Sequence, residues 1–202
     1  PNNYPLPWLR DGAYTLTALA RAGQIETAKT LALYFARNDF FGGFGPEADA
    51  PGLAIWGIMQ VAYEANDPEF NKEIYPHVKR KVDLIYKMLA ATETIRMPIR
   101  HPVLKMTKTR PDSNLVCEPA RDGLIIGRMD WHRPLLFVNS VSYSGLKHAA
   151  VLAKMMNDLS SEAEWKNKAA QLQEAWCKAF DAESENERTF ICSFWPDRIA
   201  QP

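Results

Sequence analysis

Apolar residues recur along this chain at three- and four-residue spacing in six separate stretches, a spacing that predicts amphipathic helices. The first should run over about 12–22 and stop at Gly23, a residue suited to ending a helix. A second, over 24–37, places Ile25, Ala28, Leu31, Ala32 and Phe35 on one face. A third begins near Pro51, a favoured first-turn position, and carries Ile55, Trp56, Met59, Ala62 and Tyr63 on one side. The fourth, over 71–90, shows the stripe Ile74, Val78, Val82, Ile85 and Leu89. The fifth and sixth fall at 139–157 and 161–180, the last with Trp165, Ala169, Leu172, Trp176 and Phe180 in register.

Between the fourth and fifth helices the rhythm breaks. Pro98, Pro102, Pro111, Pro119 and Pro134 exclude a long helix across 91–137. A short strand at 124–126 suits that stretch, and another is expected at 189–195, before Pro196. The pattern predicts an all-α single domain over 1–202, built of about three helical hairpins, with a long irregular loop between the second and third. No tight repeat supports a regular solenoid. No Gly-rich phosphate loop or strand-helix alternation supports a nucleotide-binding α/β fold.

Composition narrows the partners. With 47% hydrophobic and 24% charged residues, the 202-residue chain can bury a core without metal or disulfide staples. Lys+Arg and Asp+Glu both total 24, which argues against nucleic acid or an anionic membrane as partner. The local basic run Arg96, Arg100, Lys105, Lys108 and Arg110 has no interleaved aromatics; a solvated loop is the simpler reading, an anion site the other. Cys117, Cys177 and Cys192 are odd in number and lack metal-ligand spacing, which weakly favours a reducing, cytoplasmic setting. His77, His101, His132 and His148 are scattered, so neither a metal nor another cofactor is expected. No run reaches the ~18 apolar residues of a membrane span. No signal peptide opens the chain, and its Pro1-Asn2-Asn3 start without Met reads as processed or cut from something longer.

Three clusters carry candidate chemistry. The first is Trp8-Leu9-Arg10-Asp11-Gly12-Ala13-Tyr14. A carboxylate accepts from adjacent sugar hydroxyls, a guanidinium donates in a fixed fork, and an indole offers an apolar face to a pyranose ring. The simpler reading has Asp11 capping the first helix. The second is Glu47-Ala48-Asp49-Ala50-Pro51, where Asp49 is again placed to cap a helix. Both odd helices thus begin with an acid in aromatic company, and helix starts at one end of a helical barrel would bring those acids together. The third lies before the fifth helix. There Asp130, beside Trp131 and His132, could sit partly in an apolar wall, where desolvation would raise its pKa as a general acid requires. Glu118 is a second candidate acid, and a turn or capping bond is the simpler role for Asp130.

The segment Tyr4-Pro5-Leu6-Pro7-Trp8-Leu9-Arg10-Asp11-Gly12-Ala13-Tyr14 resembles the Trp-x-Arg-Asp segment of glucoamylase-like, inverting glycoside hydrolases, and more broadly of the six-hairpin glycosidases. Asp49-Ala50-Pro51-Gly52-Leu53-Ala54-Ile55-Trp56-Gly57 is similar to the bacterial members' Asp-x-Pro-Ala-Leu-x-x-Trp-Ala, and the likeness continues through 73–80. The third segment departs: in glucoamylases the acid follows the Trp, whereas here Trp131 is followed by His132 and the acid precedes it. An Asp-Trp pair before a helix with Asn139, Tyr143 and Ala149 looks closer to α-rhamnosidase-like enzymes.

The resemblance implies a toroid of six helical hairpins, of which this chain holds about half. The other half would come from the same parent chain or another chain and would bring the general base. It also implies a glycoside hydrolase that cleaves an α-linked oligosaccharide or glycoside by inversion. Asp130 would be the acid, Arg10 and Asp11 would anchor the sugar, Asp49 and His132 would join the substrate site, and Trp8, Phe44 and Trp131 would wall the pocket. A non-catalytic carbohydrate-binding domain is the alternative.

Overall fold

The computed structural model describes residues 8–39, 41–42, 45–98, 112–180 and 191–200. Six helices hold most of them: α1 (Leu9–Arg21), α2 (Ile25–Arg37), α3 (Ala50–Ala65), α4 (Pro68–Leu89), α5 (Leu135–Met155) and α6 (Leu159–Phe180). Strands β1 (Phe41–Gly42) and β2 (Gly45–Pro46) form a small antiparallel pair. A second sheet has the order β3-β4-β5, from Ile95–Arg96, Leu115–Arg121 and Leu124–Gly127, and is antiparallel throughout.

That second sheet corrects the all-α expectation: the chain is mostly helical with a three-stranded sheet. The prolines do keep helix out of the described part of 91–134, but the stretch is not merely irregular. Leu115, Val116 and Cys117 of β4 and Leu124, Ile125 and Ile126 of β5 are buried. Asp122 and Gly123 join the two strands with φ of 53° and 78°, the two-residue turn that Asp-Gly favours. Pro119 is accommodated because the register shifts between Glu118 and Arg121. At the chain's other end the strand expected at 189–195 is not formed: Ile191–Ser193 is a 3-10 turn, and residues 189–190 lie outside the described residues.

Helices α4 and α6 start earlier than their apolar stripes suggest, because their caps are polar. Asp67 accepts from the N–H of Glu69 (2.9 Å) and Phe70 (3.3 Å), so α4 begins at Pro68. Asp158 accepts from Ser161 N–H at 3.1 Å at the start of α6. The stripe Ile74, Val78, Val82 and Ile85 is buried, as is Trp165, Ala169, Leu172 and Trp176.

Successive helices pack as pairs, α1 on α2, α3 on α4 and α5 on α6. The odd helices also touch in series, α1 to α3 and α3 to α5. Helix α3 therefore has neighbours on every side, and Ala50 through Met59 are all buried. It meets α5 backbone to backbone. A Cβ on Gly52 would lie 2.4 Å from the Val141 carbonyl oxygen, and one on Gly145 would lie 2.7 Å from Gly52 Cα. Residues 191–200 lie against this row. Asp197 accepts from Ser144 Oγ (2.5 Å) and from Lys147 Nζ (3.3 Å), and pairs with His148 Nε2 (3.0 Å). The Tyr63 hydroxyl meets the other nitrogen of that ring at 2.7 Å. Trp195 stacks on Tyr14 and Phe137, with centroids 5.1 and 6.2 Å away, and meets Trp56 edge-on at 5.2 Å.

Among the described residues no helix is long and apolar enough to cross a membrane. Cys117 and Cys177 are buried and form no disulfide among the described residues. Of the basic run at 96–110 only Arg96 is described; it donates to Asp112 at 2.9 Å and Asn114 at 2.7 Å.

Candidate active site

Three local arrangements bring distant segments to one place. Arg10 sits in the first turn of α1, and Asp49 occupies the position ahead of α3. The chain before α3 is added to the end of β5: Ala48 N–H donates to the Arg128 carbonyl, and Arg128 N–H to Val116, both at 2.8 Å. Glycine at 127 permits that approach, since a Cβ there would be 2.3 Å from Ala48 Cβ. The buried Arg128 side chain then acts as a pin. Its Nε donates to the Leu115 carbonyl at 2.8 Å, its Nη2 to Pro46 at 2.6 Å, and its Nη1 to the carbonyl of Asp130. Asn139 of α5 holds the strand from the other side, accepting from Ile125 N–H at 2.8 Å and donating to its carbonyl at 3.0 Å.

Asp130 follows in a tight turn closed by Met129 and His132, whose backbone groups pair reciprocally at 3.0 Å. Its φ is 50°, a left-handed conformation that Asp and Asn tolerate better than most side chains. From there its carboxylate accepts from Arg10 Nη2 at 2.9 Å. Arg10 Nη1 donates to Glu47 Oε2 at 2.6 Å and to Asp49 Oδ2 at 3.2 Å. The second oxygen of Glu47 accepts the backbone N–H of Asp130 at 2.9 Å. One guanidinium thus gathers three carboxyl groups. Glu47 and Asp49 are sealed, with side chains 2% exposed, while Arg10 at 23% and Asp130 at 27% reach solvent. The second oxygen of Asp49 is buried and has no hydrogen-bond partner among the described residues.

Acids outnumber the base, and the electrostatics follow. Burial pushes the Glu47 carboxyl up to about 7; Asp49 adds to the rise, and Arg10 and the Asp130 N–H oppose it. Burial likewise raises Asp49 against the pull of Arg10. Burial works against the charge on Arg10, yet Asp49, Glu47 and Asp130 outweigh it and hold its pKa above the ordinary value. Glu47 therefore keeps its proton in the folded chain where an unfolded chain has lost it. Stability is withdrawn as pH climbs from 4.5 to about 7, so the charged form of Glu47 is a cost to folding at neutral pH.

The sequence-derived residues divide clearly. Arg10, Asp49 and Asp130 come together. Asp11 does not: it is exposed one position further round α1 and takes no capping role, because Trp8 holds the cap position of that helix. Asp49 makes no capping bond either. Its φ and ψ of −73° and −21° are helical, and its side chain turns to Arg10 instead. Glu118 lies on β4 and pairs with Arg133 Nε at 2.7 Å, away from the Arg10 group. Half-buried Trp131 faces the Arg128 guanidinium, 6.0 Å from its centroid, and His132 is exposed. Phe44 lies outside the described residues.

The sequence placed Glu47 and Tyr14 inside candidate clusters but gave them no role of their own, and gave none to Arg128 or to the rings of Trp56, Phe137 and Trp195. Tyr14 is one helical turn beyond Arg10, and Phe137 is in the first turn of α5. A groove of about 670 Å³ lined by Leu19, Glu26, Thr27, Thr30, Leu31 and Tyr34 contains none of the site residues. Among the described residues no group of three or more His, Cys, Asp or Glu is placed to hold a metal ion. No protein-family model matches the chain, and no curated protein or solved structure matches it.

Proposed function

We propose that this chain carries part of a glycoside hydrolase site that cleaves an α-linked glycoside with inversion, in the manner of the glucoamylase-like enzymes. The observation that supports it is the meeting of Arg10, Glu47, Asp49 and Asp130 at the start of the odd helices, with only Arg10 and Asp130 open to solvent. Among the described residues three of the five guanidinium N–H groups of Arg10 are engaged, which leaves two for sugar hydroxyls. The exposed ring of Tyr14, one helical turn beyond Arg10, suits a pyranose ring, while Trp56 and Trp195 pack around it as support.

In this reading Asp130 gives its proton to the leaving oxygen as the bond to the anomeric carbon breaks. Water enters from the opposite face, activated by a base outside this chain, across a carboxyl gap of ~6.5–9.5 Å. The three helix pairs are half of a six-hairpin toroid, completed by further pairs of the same parent chain or of another.

The test is Asp130→Asn in the full-length protein, assayed on α-linked glucosyl and rhamnosyl disaccharides and on the matching p-nitrophenyl glycosides. Loss of a general acid should lower disaccharide turnover by roughly 10²–10⁴-fold. The p-nitrophenyl substrates, whose leaving oxygen needs little protonation, should suffer less. Undiminished disaccharide hydrolysis would remove Asp130 from the role. A non-catalytic carbohydrate-binding domain is the second reading, favoured by the ion pair that occupies the Asp130 carboxylate. Glycan binding by the wild-type protein without any hydrolysis would favour it.

A further inference from the structure

We infer that Glu47 is the positioning residue of this site, holding Arg10 with one carboxyl oxygen and the Asp130 peptide with the other, so that its ionisation is passed to the Asp130 carboxyl. This rests on the glycosidase reading above for its consequence in turnover, but its structural content does not.

The argument starts from connectivity. Arg10 arrives from α1 and Asp130 from the loop after β5, 120 residues apart. Glu47 contacts both: Oε2 takes Arg10 Nη1 at 2.6 Å and Oε1 takes the Asp130 N–H at 2.9 Å. The Asp130 backbone is in a left-handed conformation that Glu47 braces on its N–H and Arg128 on its carbonyl. Glu47 itself is 2% exposed, so it cannot meet a substrate, and its effect must travel through these two partners.

Charge then couples to position. The groups facing Glu47 are Arg10 from α1, Asp49 at the head of α3, and Asp130 and Arg128 from the segment after β5. With Glu47 neutral, the Arg10 guanidinium is balanced by fewer carboxylates and bonds Asp130 more strongly. With Glu47 ionised, it competes with Asp130 for the same guanidinium. Ionisation of Glu47 therefore alters the hold of Arg10 and of the Asp130 peptide together.

Two measurements on the intact protein test this. The first needs no substrate: the Asp130 amide ¹⁵N–¹H resonance and the Glu47 side-chain ¹³C resonance are followed from pH 5 to 9. Both should move with one shared midpoint, near the value of about 7 to which the Glu47 carboxyl is pushed. In Glu47→Gln, checked for folding by thermal melt, the amide step should vanish. An Asp130 amide that does not titrate with Glu47 in the wild type overturns the inference, whether or not the variant folds.

The second is the pH profile of hydrolysis of the disaccharide that wild type turns over. Glu47→Gln should lower kcat by about 10–100-fold, keep KM within about threefold and move the basic limb, whereas a merely structural loss would leave the limb in place. An unmoved limb overturns the inference. If the amide titration holds while wild type hydrolyses no glycoside, the glycosidase reading fails and the linkage of Glu47 to Asp130 stands.

Discussion

Two charged clusters in this molecule are near mirror images. At the head of the odd helices one cation, Arg10, gathers Glu47, Asp49 and Asp130. At the tail of α2 one anion, Asp39, is gripped by Arg80 Nε at 2.7 Å and Lys81 Nζ at 2.7 Å. The second cluster fits its place. Lys81 also donates to the Asn38 carbonyl at 2.8 Å and Arg80 to the Ala36 carbonyl at 2.9 Å, so both cations serve the C-terminal end of α2, where positive charge is favoured. Burial opposes the charge on Asp39, but Arg80 and Lys81 overcome it and hold its carboxyl below the usual range. Desolvation drops the wholly buried Lys81 to about 8, with Asp39 resisting. The lesson is in the count. A surplus of base at a helix end staples it, while a surplus of acid around one cation adds to the rise that burial already imposes on the sealed Glu47 carboxyl.

The contrast can be broken at either end. Arg10→Ala removes a cation bonded to three acids, two of them sealed, and should cost about 3–5 kcal/mol in denaturant unfolding at pH 7.5. Carboxyl groups without that cation take up protons more readily when folded, so the deficit should shrink as pH falls toward 4.5. Asp39→Asn should cost about 3 kcal/mol by leaving Lys81 buried without its partner. Its sign is opposite. The folded lysine already binds its proton more weakly than the unfolded one, and more weakly still without Asp39, so the deficit should shrink as pH rises toward about 8. A deficit in either variant that ignores pH would show the charges to be incidental to packing. The smallest expected effect sharpens the geometry rather than the charge. Gly52→Ala should cost about 1–3 kcal/mol by forcing α3 off α5, and should weaken the site without touching a charged group.

Much of this was legible in the sequence, and the exceptions have reasons. The stripes of α4 and α6 follow helical spacing and are buried except at their last residues, Leu89 and Phe180, which are half-buried. Arg10, Asp49 and Asp130 were legible because all three precede or open an odd helix. Asp11 was not separable from Arg10, since adjacent helix residues differ by about 100° in direction and packing decides which faces the neighbour. Glu47 was hidden for a different reason. Its orientation depends on Ala48 joining Arg128, a contact between segments 80 residues apart that no local spacing announces. The three-stranded sheet did leave a signal, the Asp122-Gly123 turn between two apolar runs. The prolines nearby drew the reading toward loop instead.

The backbone at Asp130 bears on how any mutational survey of this chain is interpreted. A residue with φ of 50° is comfortable as Asp, Asn or Gly and uncomfortable as Ala or a β-branched side chain. Alanine scanning would therefore exact a conformational toll at this position in addition to deleting the carboxylate. It would inflate the apparent chemical importance of Asp130, whereas the asparagine and glycine replacements separate the turn from the charge.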